Sequence, residues 1–472
     1  MIVEGEKYEV EIVDLGSSGE GIGKAEGMTI FVNDGIPGDF VLVEITQLKK
    51  NYAKGRLIKI LSPSKARRKP PCQHAEECGG CSLQAIDYEG QLALKEKWVK
   101  DSLTRIGGVV SPKVNDIVGM ENPWRYRNKV QFSLSGINSS EKRYRSYKIG
   151  FYKSMSHEVA DCESCLLQAL PVEYISRAIR EYITETGITV YDEKTKKGML
   201  RHVVIKTAFG TGEIMVVLVS TERRLPDVRR LIDKIQGALE KVQDEAGQKI
   251  GGYSFESLIL NINKQINGPT VGKENITLAG KTTIKDSLMG MDFEISPLSF
   301  YQVNPVQTEK LYEKVREYAA LTGEETVIDL YCGVGTIGLL LAQDAKRVIG
   351  IETVKAAVID ANRNATINGI VNAEYICGKA EDELPKLLGQ GVQSDVIILD
   401  PPRAGCEPAL LKAAATAGPQ RIIYVSCDPA TLARDVKILT EFGYRFIEAQ
   451  PVDMFPHTGH VETVVLMSRK DT

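Results

Sequence analysis

Four groups of residues in this 472-residue sequence have types and spacings that can do chemistry. The first is the loop Asp329-Leu-Tyr-Cys-Gly333-Val-Gly335-Thr-Ile-Gly338, set between an apolar run at residues 327–330 and the Leu-rich start of a helix. Glycines at this spacing let a backbone press against a nucleotide-type ligand. The acid bears on which ligand. A dinucleotide brings a pyrophosphate to the helix N-terminus, where a carboxylate at the strand tip would repel it. S-adenosylmethionine instead presents a sulfonium and an ammonium, which Asp329 would attract. Glu352, ending the next apolar run, also sits where a dinucleotide fold keeps its ribose acid, so hydride chemistry and a purely structural glycine turn stay open at this loop.

The second and third groups are a thiol and two carboxylates at further strand ends. Cys427 follows residues 421–425 in Ser426-Cys-Asp-Pro429, Asp400 opens the stiff loop Asp400-Pro-Pro-Arg-Ala-Gly405, and Glu462 stands just inside an apolar run. A nucleophilic thiol, a methyl donor and a carboxylate together suggest one reaction. Carbon 5 of uracil is too weak a nucleophile to accept a methyl group directly. A sulfur added at carbon 6 makes the ring an enolate, carbon 5 attacks the sulfonium methyl, and a base removes the carbon 5 proton so that the sulfur is expelled. Cys427 would be the nucleophile and Glu462 the base. Taken singly, a buried inert cysteine and an ion-paired acid explain the same two residues.

The fourth group is Cys72-x5-Cys78-Gly-Gly-Cys81, with Cys162 and Cys165 further on. Zinc would want a fourth ligand close by, and His74 is poorly placed to supply it. A 4Fe-4S cluster takes four thiolates, of which the last can be distant. Spacing alone does not choose between Cys162 and Cys165.

These residues need elements to hold them. From residue 293 onward, strand-like and helix-like segments alternate, which predicts a doubly wound α/β sheet with its ligands at the carboxyl ends of the strands. Residues 6–62 alternate apolar and polar between Gly-rich turns, as in a small antiparallel barrel. From Leu48 to Pro70 there are nine Lys or Arg and no acid; this reads either as a solvated edge and linker or as a phosphate-tracking surface. Residues 91–106 have helical apolar spacing. Basic and aromatic residues interleave in Trp124-Arg-Tyr-Arg-Asn-Lys129, Lys142-Arg-Tyr-Arg-Ser-Tyr-Lys148 and Gly150-Phe-Tyr-Lys153, which suits either unpaired RNA or a ribbon with a basic face.

Composition bounds the rest. At 43% apolar and 26% charged residues with net charge −3, the chain is an ordinary globular protein of two to four domains, not a uniformly basic nucleic-acid binder. Nine unevenly spaced cysteines fit a disulfide framework poorly. With no leader pattern and no membrane-length apolar run, a cytoplasmic protein without membrane attachment is expected.

Taken together, the motifs make the chain resemble the RNA (uracil-5-)-methyltransferases, and within them the bacterial 23S rRNA enzymes of the RumA/RlmCD type. The likeness spans nearly the whole chain. It rests on the three-cysteine motif, Ser299-Phe-Tyr-Gln302-Val-Asn304, the Asp329 loop, Leu399-Asp-Pro-Pro-Arg-Ala-Gly405, Val425-Ser-Cys427-Asp-Pro-Ala-Thr-Leu-Ala-Arg-Asp435 and Phe455-Pro-His-Thr-Gly-His-Val-Glu462. It implies a TRAM, OB-like RNA-binding barrel at 1–62, a central α+β iron-sulfur and RNA-binding domain at 63–290 whose segment 91–122 packs on the catalytic domain, and a class I methyltransferase domain at 291–472. It further implies that Gln302, Tyr331, Glu352 and Asp400 hold S-adenosylmethionine with Thr336 close by, that Cys72, Cys78, Cys81 and Cys165 hold a 4Fe-4S cluster, that the partner is 23S rRNA, and that the chain is a monomer. The sequence departs from the family at Asp428, where relatives commonly have Asn, and at Lys379, where some have a polar donor-side residue. The rival readings are a tRNA enzyme of the same family, a TRAM-bearing radical methylthiotransferase, whose cluster spacing is C-x3-C-x2-C, and a non-catalytic RNA-binding scaffold.

Overall fold

The structure is a computed structural model and describes residues 1–16, 19–137, 146–154, 156–243, 247–266 and 268–470. The basic-aromatic residues 142–145 therefore lie outside the described residues. Among the described residues no helix is long and apolar enough to cross a membrane.

The alternation at the N-terminus closes a five-stranded barrel from Lys7–Leu15, Gly21–Ala25, Met28–Val32, Phe40–Leu48 and Tyr52–Ser62. Its inward residues, among them Val10, Ile12, Ile30, Val43 and Ala53, make a separate core. Segment 63–70 is strapped down rather than a free linker. Arg67 pairs with the fully buried Asp39, and Arg68 pairs with Asp87 at 2.9 Å. With Arg56 on Glu44 at 2.6 Å, three cations of the basic run are engaged within the protein.

A seven-stranded sheet follows in the order Glu274–Gly280, Ser254–Ile262, Glu213–Ser220, Leu200–Thr207, Lys129–Ile137, Ser146–Tyr152, Val159–Asp161. Helices Pro171–Thr186 and Val228–Leu239 share its apolar core, as their 3.6-residue apolar spacing requires. The hairpin Ile284–Leu288/Met291–Ile295 spans residue 290, and both of its strands bury residues in a core to which the central and C-terminal sheets both contribute.

That C-terminal sheet runs Ala373–Cys377, Arg347–Glu352, Thr326–Leu330, Val396–Leu399, Arg421–Ser426, Glu462–Arg469, Tyr444–Val452. The first five strands are parallel, and Glu462–Arg469 is antiparallel to both of its neighbours. The inner parallel strands are buried residue after residue because apolar clusters cover both faces. Strand order reverses between Thr326–Leu330 and Val396–Leu399, which opens a crevice at their carboxyl ends.

Candidate active site

The crevice is lined first by the glycine loop. Asp329 is 1% exposed at the end of its strand, and neither carboxylate oxygen has a hydrogen-bond partner. Burial pushes its carboxyl up to about 8, with Asp400 and Glu352 adding to the rise. Two glycines are needed for contact reasons: a Cβ at Gly338 would stand 3.0 Å from Asp329 Oδ2, and one at Gly335, where φ is +84°, would stand 2.7 Å from the Tyr375 hydroxyl. Tyr331 takes φ +66° at the strand tip, and its N–H donates to the Ile351 carbonyl at 3.0 Å. Glu352 closes the loop from the neighbouring strand, accepting from Gly333 N at 3.2 Å and Val354 N at 2.8 Å. Thr336 begins the helix Thr336–Ala342, 2.9 Å from the Tyr312 hydroxyl. Gln302 is buried, with its carbonyl held by Asn128 Nδ2 at 2.9 Å. Lys379 is exposed at the start of helix Ala380–Gly389.

The thiol and the second acid meet through strand register. Ser426 and Thr463 are directly opposed across the antiparallel pair. Cys427 follows Ser426 and Glu462 precedes Thr463, which brings them near enough for the Glu462 charge to act on the thiol. Glu462 is the first residue of an antiparallel strand, so it sits at the same edge as the carboxyl ends of the parallel strands. Burial pushes the Glu462 carboxyl up to about 8, Asp400 adds to this, and Arg403 opposes it. The half-buried Cys427 thiol is pushed up to about 11, first by burial and then by Glu462, with Arg403 pulling the other way and Asp400 and Asp428 adding to the rise. Burial alone takes Asp400 to about 7. At rest the edge therefore holds a protonated thiol among acids that resist ionisation until a cation arrives. Asp428 has a structural use as well. It caps helix Pro429–Glu441, accepting from Ala430 N and Thr431 N, both at 2.9 Å.

Two residues at this edge were not singled out by sequence reasoning. Arg403, exposed on the double-proline loop, lies 3.2 Å from His460 Nε2. Arg403 lay within a recognised motif, yet only the fold shows that its charge reaches both Cys427 and Glu462.

The loop that delivers Glu462 is held from outside the sheet. Helix Tyr88–Arg105 buries Lys95 against it, with Nζ 2.6 Å from Asp453 Oδ1 and 3.0 Å from the Phe455 carbonyl. Tyr88 donates to the other Asp453 oxygen at 2.9 Å. Gln91 accepts from His457 N at 2.9 Å, and the Trp124 ring stacks on His457 with centroids 3.7 Å apart. Tyr126 is 2% exposed and donates to the Pro456 carbonyl at 3.0 Å. Trp124 and Tyr126 thus serve packing, and the reading of their stretch as a surface for unpaired RNA does not hold for these two rings. Val114 and Val118 bridge in parallel to Ala449 and Val452, which extends the sheet by one short edge.

The five cysteines of the fourth group line one cavity of about 150 Å³ with Phe151, Leu167 and Arg127. Among the described residues no set of three or more His, Cys, Asp or Glu is drawn together as ligands of a single metal ion. A cubane cluster asks for something different, thiolates spread around a body of several atoms, and a cavity ringed by thiols is of that kind. Cys165 feels the charges of Cys72 and Cys78 and acts on Cys81. Cys162 lines the same cavity, its thiol in hydrogen-bond contact with Cys78 and also donating to the Ala160 carbonyl at 3.5 Å, so both candidate fourth thiols reach the group. On the barrel, a groove of about 670 Å³ is lined by Phe31, Tyr52, Lys54 and Arg56, the two rings edge to face at 5.4 Å.

Comparison with known proteins places this geometry. The family profile described as tRNA (uracil-5-)-methyltransferase matches residues 271–470, and the TRAM domain profile matches residues 3–58. The chain is 47% identical over 465 residues to an RNA methyltransferase of Caldanaerobacter subterraneus, covering 98% of each chain. It is 46% identical over 461 residues to one of Clostridium tetani, covering 98% of this chain and 96% of that one. It is also similar to the crystal structure of the Pyrococcus abyssi tRNA (uracil-54, C5)-methyltransferase in complex with S-adenosyl-L-homocysteine, with a TM-score of 0.75, 29% identity, and coverage of 98% of this chain and 100% of that one. A thiol and an acid paired by register beside an acid-lined donor crevice, on a chain with these relatives, mean that it belongs to the S-adenosylmethionine-dependent RNA (uracil-5-)-methyltransferase family.

Proposed function

We propose that the chain methylates carbon 5 of a uridine in 23S rRNA. The observation that carries the reading is the Ser426/Thr463 register, which brings Cys427 and Glu462 to one edge of the donor crevice. The Cys427 sulfur bonds to carbon 6 and its proton goes to the ring carbonyl oxygen at carbon 4, giving an enol. Carbon 5 then takes the methyl group as the enol gives that proton to water and S-adenosylhomocysteine departs. The ionised Glu462 removes the carbon 5 proton, the carbon–sulfur bond breaks, and the thiolate takes that proton from Glu462. Asp329 and Asp400 face the cationic donor, with Gln302, Tyr331, Glu352 and Thr336 around it. The target ring has to leave its stack to be reached on both faces.

Cys72, Cys78, Cys81 and Cys165 would hold the 4Fe-4S cluster, supported by the cavity these thiols share; Cys162, which lines it too, is the other candidate for the fourth place. The cluster would cross-link the segment around residue 78 to the central sheet, a structural role with no redox step in the methylation. The barrel groove, with its two rings and its cations, suits an RNA strand.

The second reading is a tRNA substrate, favoured by the family profile and by the Pyrococcus abyssi neighbour. That enzyme aligns along 98% of this chain, so barrel and central domain do not by themselves select rRNA. Incubating the protein with tritiated donor and either 23S rRNA or total tRNA, then locating 5-methyluridine, tests the proposal. Label confined to tRNA overturns the rRNA substrate, and no label in either overturns the activity.

A further inference from the structure

Residues 296–304 link the hairpin strand Met291–Ile295 to helix Pro305–Ala319 and carry Gln302. Side chains of the central sheet hold their backbone. Lys206, from strand Leu200–Thr207, donates to the carbonyls of Ser296 at 2.7 Å and Ser299 at 3.0 Å. Asn128 donates through Nδ2 to the Gln302 carbonyl at 2.9 Å and through its backbone N–H to the Val303 carbonyl at 3.0 Å. The Asn128 carbonyl accepts from Thr207 N at 2.7 Å, so both anchors belong to one unit. Within the loop, Ser296 N donates to Ser299 Oγ at 2.9 Å and Ser299 Oγ to the Ser296 carbonyl at 3.0 Å, which stiffens the turn that Lys206 grips.

A lysine is an expensive residue for this task. Lys206 is 4% exposed, its ammonium is disfavoured by burial and by Lys129 directly opposite it in the sheet, and the Asp360 carboxylate favours it. An apolar side chain would fill the space without that desolvation cost but could not donate to two carbonyls from one point. The long stem carries the donors across the gap between the sheet and the loop.

We propose that Lys206 and Asn128 are positioning residues for the methyl donor, holding residues 296–304 so that Gln302 meets it. This rests on the reading of Gln302 as a donor contact. Donor affinity is accordingly set in part by the central sheet rather than by the catalytic sheet alone.

The test is calorimetric titration of the full-length protein with S-adenosylhomocysteine, using Lys206→Met, Asn128→Ala and Gln302→Ala, together with steady-state kinetics. Loss of one or two net hydrogen bonds predicts about tenfold weaker binding for each anchor variant. The donor KM should rise while kcat at saturating donor and the RNA KM stay near wild type, a split that general destabilisation would not produce. If Gln302→Ala weakens binding while folded Lys206→Met and Asn128→Ala bind as wild type does, the inference is overturned and the reading of Gln302 stands. If Gln302→Ala also binds as wild type does, the reading of Gln302 fails as well. Should Lys206→Met not fold, Asn128→Ala decides alone, and unchanged donor affinity overturns the proposal.

Discussion

Two groups of ionisable side chains lie close to the C-terminal sheet, and they are built in opposite ways. At the junction with helix Tyr88–Arg105, Lys95 and Asp453 are both fully buried, and each finds partners: the ammonium takes a carboxylate and a carbonyl, and the carboxylate takes a lysine and a tyrosine. At the strand tips, Asp329 is as deeply buried with both oxygens unpartnered, and Asp400 and Glu462 are likewise held above the usual carboxylate range by burial. Satisfied charge holds the loop that delivers Glu462. On the proposed function, a cationic donor would draw the strand-tip acids, held un-ionised at rest, into their charged form.

The contrast can be broken at several points. The largest effect is expected at the thiol. Cys427→Ala should abolish both turnover and the adduct with 5-fluorouridine-substituted RNA seen on denaturing gels. Glu462→Gln should slow turnover by about 10²–10⁴-fold while still forming an adduct. An adduct from Cys427→Ala would sink the covalent mechanism.

Next comes the satisfied pair. Lys95→Met leaves Asp453 buried and alone, and should cost about 3–5 kcal/mol in urea unfolding. The double replacement Lys95→Met/Asp453→Leu should recover most of it. A single variant as stable as wild type would mean that the junction carries little.

The strand-tip acids should behave in reverse. For Asp329, Asp400 and Glu462 the folded carboxyl lies above its unfolded value, so stability is fully present below about pH 4 and is lost as pH rises towards 7–8, at about 1.4 kcal/mol per unit of separation for an isolated group. Thermal melts of the ligand-free protein should show this slope above the acid-denaturation range, and Asp329→Asn should flatten it while weakening S-adenosylhomocysteine binding. If Asp329→Asn lowers the melting temperature at pH 8, the ionised acid is stabilised by the fold and the contrast fails.

The smallest effect is expected at Asp428. Asn caps a helix about as well, so Asp428→Asn should change stability by only a few tenths of a kcal/mol. Removing one of the acids that raise Cys427 should move the pH dependence of adduct formation towards acid. A profile that does not move would make Asp428 a cap and nothing more.

The motif residues were legible because their chemistry shows in short windows. Gly333, Gly335 and Gly338 mark a close backbone approach, Cys427 and Glu462 stand against apolar runs, and unbroken apolar stretches announce strands covered on both faces. Windows of that size also misled. Trp124 and Tyr126 have the letters of an RNA surface, yet one ring lies on His457 and the other is buried under Pro456. Segment 63–70 has the composition of a linker, but Asp39, 28 residues before Arg67, holds it to the barrel.

By itself the sequence determined which groups are available and which strands must be covered, since residue type and periodicity are local properties. Tertiary structure decided which groups meet. An antiparallel register brings Cys427 and Glu462 to one sheet edge, a helix some 360 residues away in sequence supplies Lys95 to Asp453, and a separate sheet reaches the loop carrying Gln302. Such meetings depend on burial and pairing between distant segments, and neither is written in any one of them.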